Sequence, residues 1–233
     1  LDGLTLTGLL KSDPERNAGP QSRGAIVVAG GEIEIVDCNI TGNLGGANAI
    51  LFVTACETSD RVATLFADHP CVTGSAPAQP SLVSVRDTEL VDNFTAFAGS
   101  PPNVASTGIV VQGSHLVLKD SSLGVTLPRS PIPLQSDRFG GTTITSSGVA
   151  SVTIDRCRLF NSGTFGAINS ITISGQGPDA STIVVRDSII EDVIAASPVV
   201  GTLGGSLTVQ RVLIRNTISS GSSSTNSTLS AAG

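Results

Sequence analysis

The chain has no Trp, no Tyr and no Met, and its aromatic share of 3% comes from 7 Phe. A core must therefore be built from Val, Ile, Leu and Ala, and the broad aromatic faces on which sugars or bases stack are missing. Charge is scarce as well. Asp, Glu, Lys and Arg make up 14% of the residues, against the ~25% of ordinary globular proteins. Lys+Arg 13 against Asp+Glu 19 gives a formal net charge of −6 with no basic cluster, which excludes the electrostatic footprint of a nucleic-acid binder. No apolar run approaches the ~18–20 residues of a membrane helix, so no membrane span is expected in this segment. No signal peptide is visible and the first residue is Leu1 rather than Met, so the chain reads as processed or excised from a longer protein. Its 233 residues are enough for one large domain or two small ones with a substantial core.

What the chain does have is self-similarity. Six segments share one pattern: apolar, any, apolar, two mostly polar residues, a small residue, any, apolar. They begin at Ile33, Val83, Leu116, Val152, Ile183 and Leu207, and Leu4-Thr5-Leu6-Thr7-Gly8 matches the end of a seventh. The last apolar positions are Leu6, Ile40, Leu90, Leu123, Leu159, Ile190 and Ile214. Alternation and β-branched content predict strands, and the polar step in the middle predicts a bend. Short apolar stretches upstream, such as Ala25-Ile26-Val27-Val28 and Ile50-Leu51-Phe52-Val53, add a third strand to the unit. Three strands and three bends within a shortest step of 24 residues, Ile190 to Ile214, describe one coil of a parallel solenoid. A single coil cannot bury its inner face, but coils stacked at ~4.8 Å bury a continuous apolar column. The expected fold is all-β: a right-handed parallel β-helix of about seven coils with loop insertions. Residues 1–216 form the β-helix, and residues 217–233 read as a Ser/Thr/Gly-rich tail or linker.

Stacking turns repeat positions into columns. The small-residue column Leu4, Cys38, Thr88, Ser121, Cys157, Ser188 and Val212 points inward, as a tight bend requires. Cys38 and Cys157 lie three coils apart, too far for a disulfide, and read as buried thiols. Cys56 and Cys71 bracket part of the longest insertion, between Ile40 and Leu90, and their spacing suits a disulfide. Such a bridge contributes about 3 kcal/mol and implies an oxidising compartment. Asn43, Asn93, Asn161, Asp192 and Asn216 are expected to form a turn column, with amides that satisfy bends and stack along the rod. Two outward columns are charged: Asp37, Asp87, Asp120, Arg156, Asp187 and Arg211, beside Val36, Arg86, Lys119, Asp155, Arg186 and Gln210. The reversed order at Asp155-Arg156 sets opposite charges in one column, so a salt-bridge ladder is expected rather than a metal or catalytic site.

Three N-glycosylation sequons occur, at Asn39, Asn93 and Asn226. Asn39 is expected to point outward and Asn226 lies in the polar tail. Asn93 is the weakest of the three, because the turn column claims its amide. His69 and His115 show no triad partner, and no metal site or cofactor is expected.

The units at 33–43, 152–161 and 183–192 resemble the coils of the pectin-lyase-like superfamily over nearly the whole chain. Gly45-Gly46-Ala47 and Gly166-Ala167-Ile168 are similar to short motifs of polymorphic outer-membrane adhesins. The superfamily includes polysaccharide lyases and hydrolases as well as non-enzymatic surface proteins, so the resemblance implies a fold more than a function.

For an enzyme, the resemblance implies clustered Asp and Arg on one outer face, and Asp155, Asp187 and Arg186 come nearest to that. Each has a compensating charge beside it, which weighs against catalysis. A third reading, an ice- or surface-binding face, needs aligned Thr-x-Thr steps. Thr5-Leu6-Thr7, Thr143-Ile144-Thr145 and Thr172-Ile173-Ser174 are expected not to share a column in adjacent coils. The favoured reading is a secreted or cell-surface structural or adhesive rod, part of a larger surface protein or filament. It presents loops at 57–80 and 101–106 and has coil edges suited to stacking end to end. Its expected partners are copies of itself, neighbouring surface proteins or glycans.

Overall fold

The computed structural model describes residues 1–7, 26–45, 50–56, 68, 70, 73–74, 77–97, 103–105, 108–124, 126, 144–160, 173–176, 181–195, 199–203, 205–216, 218–219 and 229–232. Among these there is no helix; the regular structure is all strand. The first sheet is six-stranded: Glu32–Val36, Leu82–Arg86, His115–Lys119, Ser151–Asp155, Thr182–Arg186 and Ser206–Gln210. The second is seven-stranded: Thr5–Thr7, Asn39–Thr41, Glu89–Val91, Ser122–Gly124, Arg158–Phe160, Ile189–Glu191 and Leu213–Arg215. The third, also seven-stranded, holds Ile26–Ala29, Leu51–Thr54, Ile109–Gln112, Ile144–Ser147, Ile173–Gln176, Val200–Leu203 and Leu229–Ala232. All the pairs in these three sheets are parallel, and each strand neighbours its counterparts in the units before and after it. This is an all-β parallel solenoid.

The register follows the sequence repeat. Leu6, Ile40, Leu90, Leu123, Leu159, Ile190 and Ile214 stand side by side across the second sheet. The alternation sends Ile35, Val83, Val85, Leu116, Leu118, Val152, Ile154, Ile183 and Val185 from the first sheet into one core, each fully buried or nearly so. Side chains of this size contribute roughly 1.5–3 kcal/mol each on burial. Parallel neighbours are separated by long stretches of chain, so the hydrogen bonds of one coil depend on the coil beside it.

Each bend is built from stacked side chains. Between the third and first sheets stand Ser81, Ser114, Ala150 and Ser181, all buried. Ser114 Oγ accepts the N–H of Ser81 at 3.0 Å, and Ser81 Oγ accepts the N–H of Gly30 at 2.7 Å. Gly205 takes this position in the last coil with φ +93, where a Cβ would lie 2.0 Å from the Ser181 carbonyl oxygen. Only glycine fits there.

Between the first and second sheets the small-residue column forms a chain of hydrogen bonds. The N–H of Cys38 donates to Thr88 Oγ1, that of Thr88 to Ser121 Oγ, and that of Cys157 to Ser188 Oγ, at 3.1–3.2 Å. Each hydroxyl in turn donates to the carbonyl two residues before it: Thr88 to Arg86, Ser121 to Lys119 and Ser188 to Arg186. Small polar residues therefore do more here than fill space, because they satisfy buried backbone groups at a bend.

At the end of the second sheet the expected turn column divides in two. Asn43 and Asn93 share a buried position: Asn43 Nδ2 donates to Asn93 Oδ1 at 2.9 Å, and Asn93 Nδ2 to the Ile40 carbonyl at 2.6 Å. Asp192 and Asn216 instead occupy the place one residue earlier, alongside Gly42 and Asp92. There the backbone is left-handed, with φ of 64, 54, 56 and 53 at Gly42, Asp92, Asp192 and Asn216. Side-chain hydrogen bonds occur at both positions, since Asn216 Nδ2 donates to Asp192 Oδ1 at 3.2 Å, and the second position adds the αL backbone that Asn and Asp tolerate. Asn161 lies outside the described residues.

One further expectation, an outward loop at 101–106, is corrected. Asn103–Ala105, placed by sequence in an outward loop, is a strand antiparallel to Phe94–Phe97, which also pairs with Leu44–Gly45. The alternation there is too short to register in a sequence pattern. Past residue 216, Ile218–Ser219 pairs with Ile194–Ala195 and Leu229–Ala232 with Val200–Leu203. These two short strands add to the parallel sheets.

Candidate functional site

The densest cluster of charged side chains lies along the bend between the first and second sheets. Its inner line is Asp37, Asp87, Asp120, Arg156, Asp187 and Arg211, all with φ between 49 and 52. The sequence showed these residues as a charged column but gave no sign of their backbone state. Asp enters αL more readily than most residues, whereas Arg gains nothing there. The two arginines are held by carboxylates of the preceding coil. Arg156 grips Asp120 through Nε and Nη2, both at 2.7 Å. Arg211 grips Asp187 in the same way at 2.5 and 2.7 Å. Such forked pairs are the strong form of the contact.

The outer line adds Arg86, Lys119, Asp155 and Arg186. Arg86 Nε donates to Glu34 at 2.9 Å. Asp155 Oδ2 accepts from Arg186 at 3.0 Å and from Arg156 at 3.2 Å. Although it is on the outward side of its strand, Asp155 is 4% exposed, and its Oδ1 is buried with no hydrogen-bond partner among the described residues. Asp155 and Arg186 thus join one network with Arg156 and Asp120, while Asp187 pairs separately with Arg211. A parallel arrangement lies further along the second sheet, where buried Glu191 accepts from Arg158 at 2.7 Å and from Arg215 at 2.5 Å. Arg158 also lies 4.5 Å over the ring of Phe160.

The electrostatics follow from these pairs. The hydrogen bond from Arg156 holds the Asp120 carboxyl below its ordinary range, and that from Arg211 does the same for Asp187. Arg158, then Arg215, lower Glu191. Arg156 is raised, chiefly by its bond to Asp120. An ionised Asp187 with both oxygens engaged has no proton to give near neutral pH and no lone oxygen aimed at a water. Asp155 has one oxygen without a partner among the described residues, but that oxygen is buried.

One contact went unseen in the sequence. His115 Nδ1 lies 2.8 Å from Ser151 Oγ on the outer face of the first sheet, where the two residues are register partners. Their separation of 36 residues hides this pairing from a linear reading. A Ser–His pair is the start of a nucleophile–base unit. Among the described residues no carboxylate hydrogen-bonds to the imidazole to orient it. His69 lies outside the described residues.

Cys38 and Cys157 are free, buried thiols. Burial pushes the Cys157 thiol up to about 11, which makes it a poor nucleophile. Cys56 is 2% exposed and pairs with Gln79 in an antiparallel bridge that closes the base of the long insertion. Its expected partner Cys71 lies outside the described residues. Asn39 is half-buried on an outward position of its strand, while the Asn93 amide is committed to the Ile40 carbonyl. Asn226 and most of both Gly-Ala motifs lie outside the described residues. No group of three or more His, Cys, Asp or Glu among the described residues could hold a metal ion, and no helix there is long and apolar enough to cross a membrane.

The Thr-x-Thr expectation is corrected in part. Thr145 and Ser174 are register partners in the third sheet, so two of the three steps do share a column. Their next register partners are Val110 and Gly201, so Thr or Ser occupies this register position in only two adjacent described strands.

No family model, no curated protein and no solved structure matches this chain.

Proposed function

We propose that the chain is a structural or adhesive rod module of a secreted or cell-surface protein. Its fold is a right-handed parallel β-helix of about seven coils, of the pectin-lyase-like kind. The observation that carries this reading is how the charged ridge is used. Asp120, Asp155, Asp187 and Glu191 are all paired with arginines of neighbouring coils, a pattern that strengthens a column and leaves little for chemistry. The module works by presentation: a stiff stack holds an insertion outward from a fixed base at Cys56 and Gln79. Its partners are other copies, neighbouring surface proteins or glycans, and sheet edges give copies a way to stack end to end. A disulfide between Cys56 and Cys71 pins the same insertion. In its support, Cys56 is buried at the base of that insertion, where its backbone pairs with Gln79.

The test replaces residues 57–78 by a two-residue turn, which suits the antiparallel pair at Cys56 and Gln79. Wild type and variant are then compared on arrays of extracellular glycans and matrix proteins. Loss of binding with an unchanged β-rich spectrum supports presentation. Equal binding by the variant, or no binding by either protein, overturns it. Peptide mapping without reduction is expected to recover residues 56 and 71 in one linked peptide, and two alkylated cysteines would overturn the bridge.

A second reading, a polysaccharide-active lyase or hydrolase, is favoured by one observation: the partnerless oxygen of Asp155 beside Arg186. A screen for polysaccharide degradation, repeated with Asp155→Asn and Asp187→Asn, decides it. Product release abolished by either substitution would replace the rod with an enzyme.

A further inference from the structure

We draw no further inference here: the strongest candidate, the open edge of the last described coil, where Leu207, Val212 and Ile214 are only partly buried beside the fully buried Ile183 and Ile190, carries nothing because nothing in the structure shows what covers it.

Discussion

Arg156 reaches back across one coil to hold both oxygens of Asp120 while its own backbone sits at φ 52. The column it belongs to is therefore governed by backbone conformation first and by charge second. Asp37 tests that order cleanly, because it shares the left-handed geometry (φ 49) and makes no ion pair among those described. Asp37→Gly should leave the denaturation midpoint unchanged or raise it, and Asp37→Ile should cost about 1–2 kcal/mol. Equal stability of the two variants would mean that αL is not the governing constraint.

The carboxylates of the ridge set the pH response. Asp120, Asp187 and Glu191 are all held below their ordinary values by arginines. A carboxyl with a lower pKa folded than unfolded adds stability above its unfolded value. That stability is lost as pH falls through the folded value. The urea midpoint should therefore stay level from pH 7 to about 5 and decline below about 4. Glu191→Gln should flatten the decline and cost about 1 kcal/mol at pH 7, a modest figure because both arginines are half in water. A midpoint that rises on acidification would contradict the pairing.

Gly124 lies against Phe160 of the next coil. A Cβ there would sit 2.1 Å from the Phe160 carbonyl oxygen and 2.9 Å from its ring. Gly124→Ala should cost about 1–3 kcal/mol through overpacking. Adding Phe160→Ala should not restore it, since the closest contact is backbone. Rescue by the double variant would show that the ring alone sets the limit.

The two free thiols should resist alkylation in the folded protein at pH 8 and react fully in denaturant. Cys157→Ser should be tolerated, at a cost of about 1 kcal/mol or less, because Ser121 and Ser188 already fill equivalent places in the column. Mass spectrometry after iodoacetamide treatment, with and without urea, checks the first point, and a melting curve checks the second. Rapid labelling of native Cys157 would contradict its burial.

Much of the fold is legible along the chain because strand alternation is local. Ile33, Val83, Leu116, Val152, Ile183 and Leu207 announce the same strand six times over, and the register aligns them as the repeat implies. The charge reversal at Asp155-Arg156 likewise announced opposite charges on neighbouring coils. The turn column was less legible. Asn93 and Asp192 look alike in sequence, yet one is a buried hydrogen-bonding amide and the other an αL bend residue. A shift of one residue separates those roles, and residue type does not reveal it.

By itself, then, the sequence determined the strand unit, its repetition and the composition of the columns, because period-two burial and small bend residues act within a few positions. Tertiary structure alone decided what joins across coils. His115 meets Ser151, Arg158 and Arg215 close on Glu191, and Asp155 loses its water although it sits on an outward position. Those outcomes depend on hydrogen-bond register between strands tens of residues apart, and on which side chains the neighbouring coil sets beside each one.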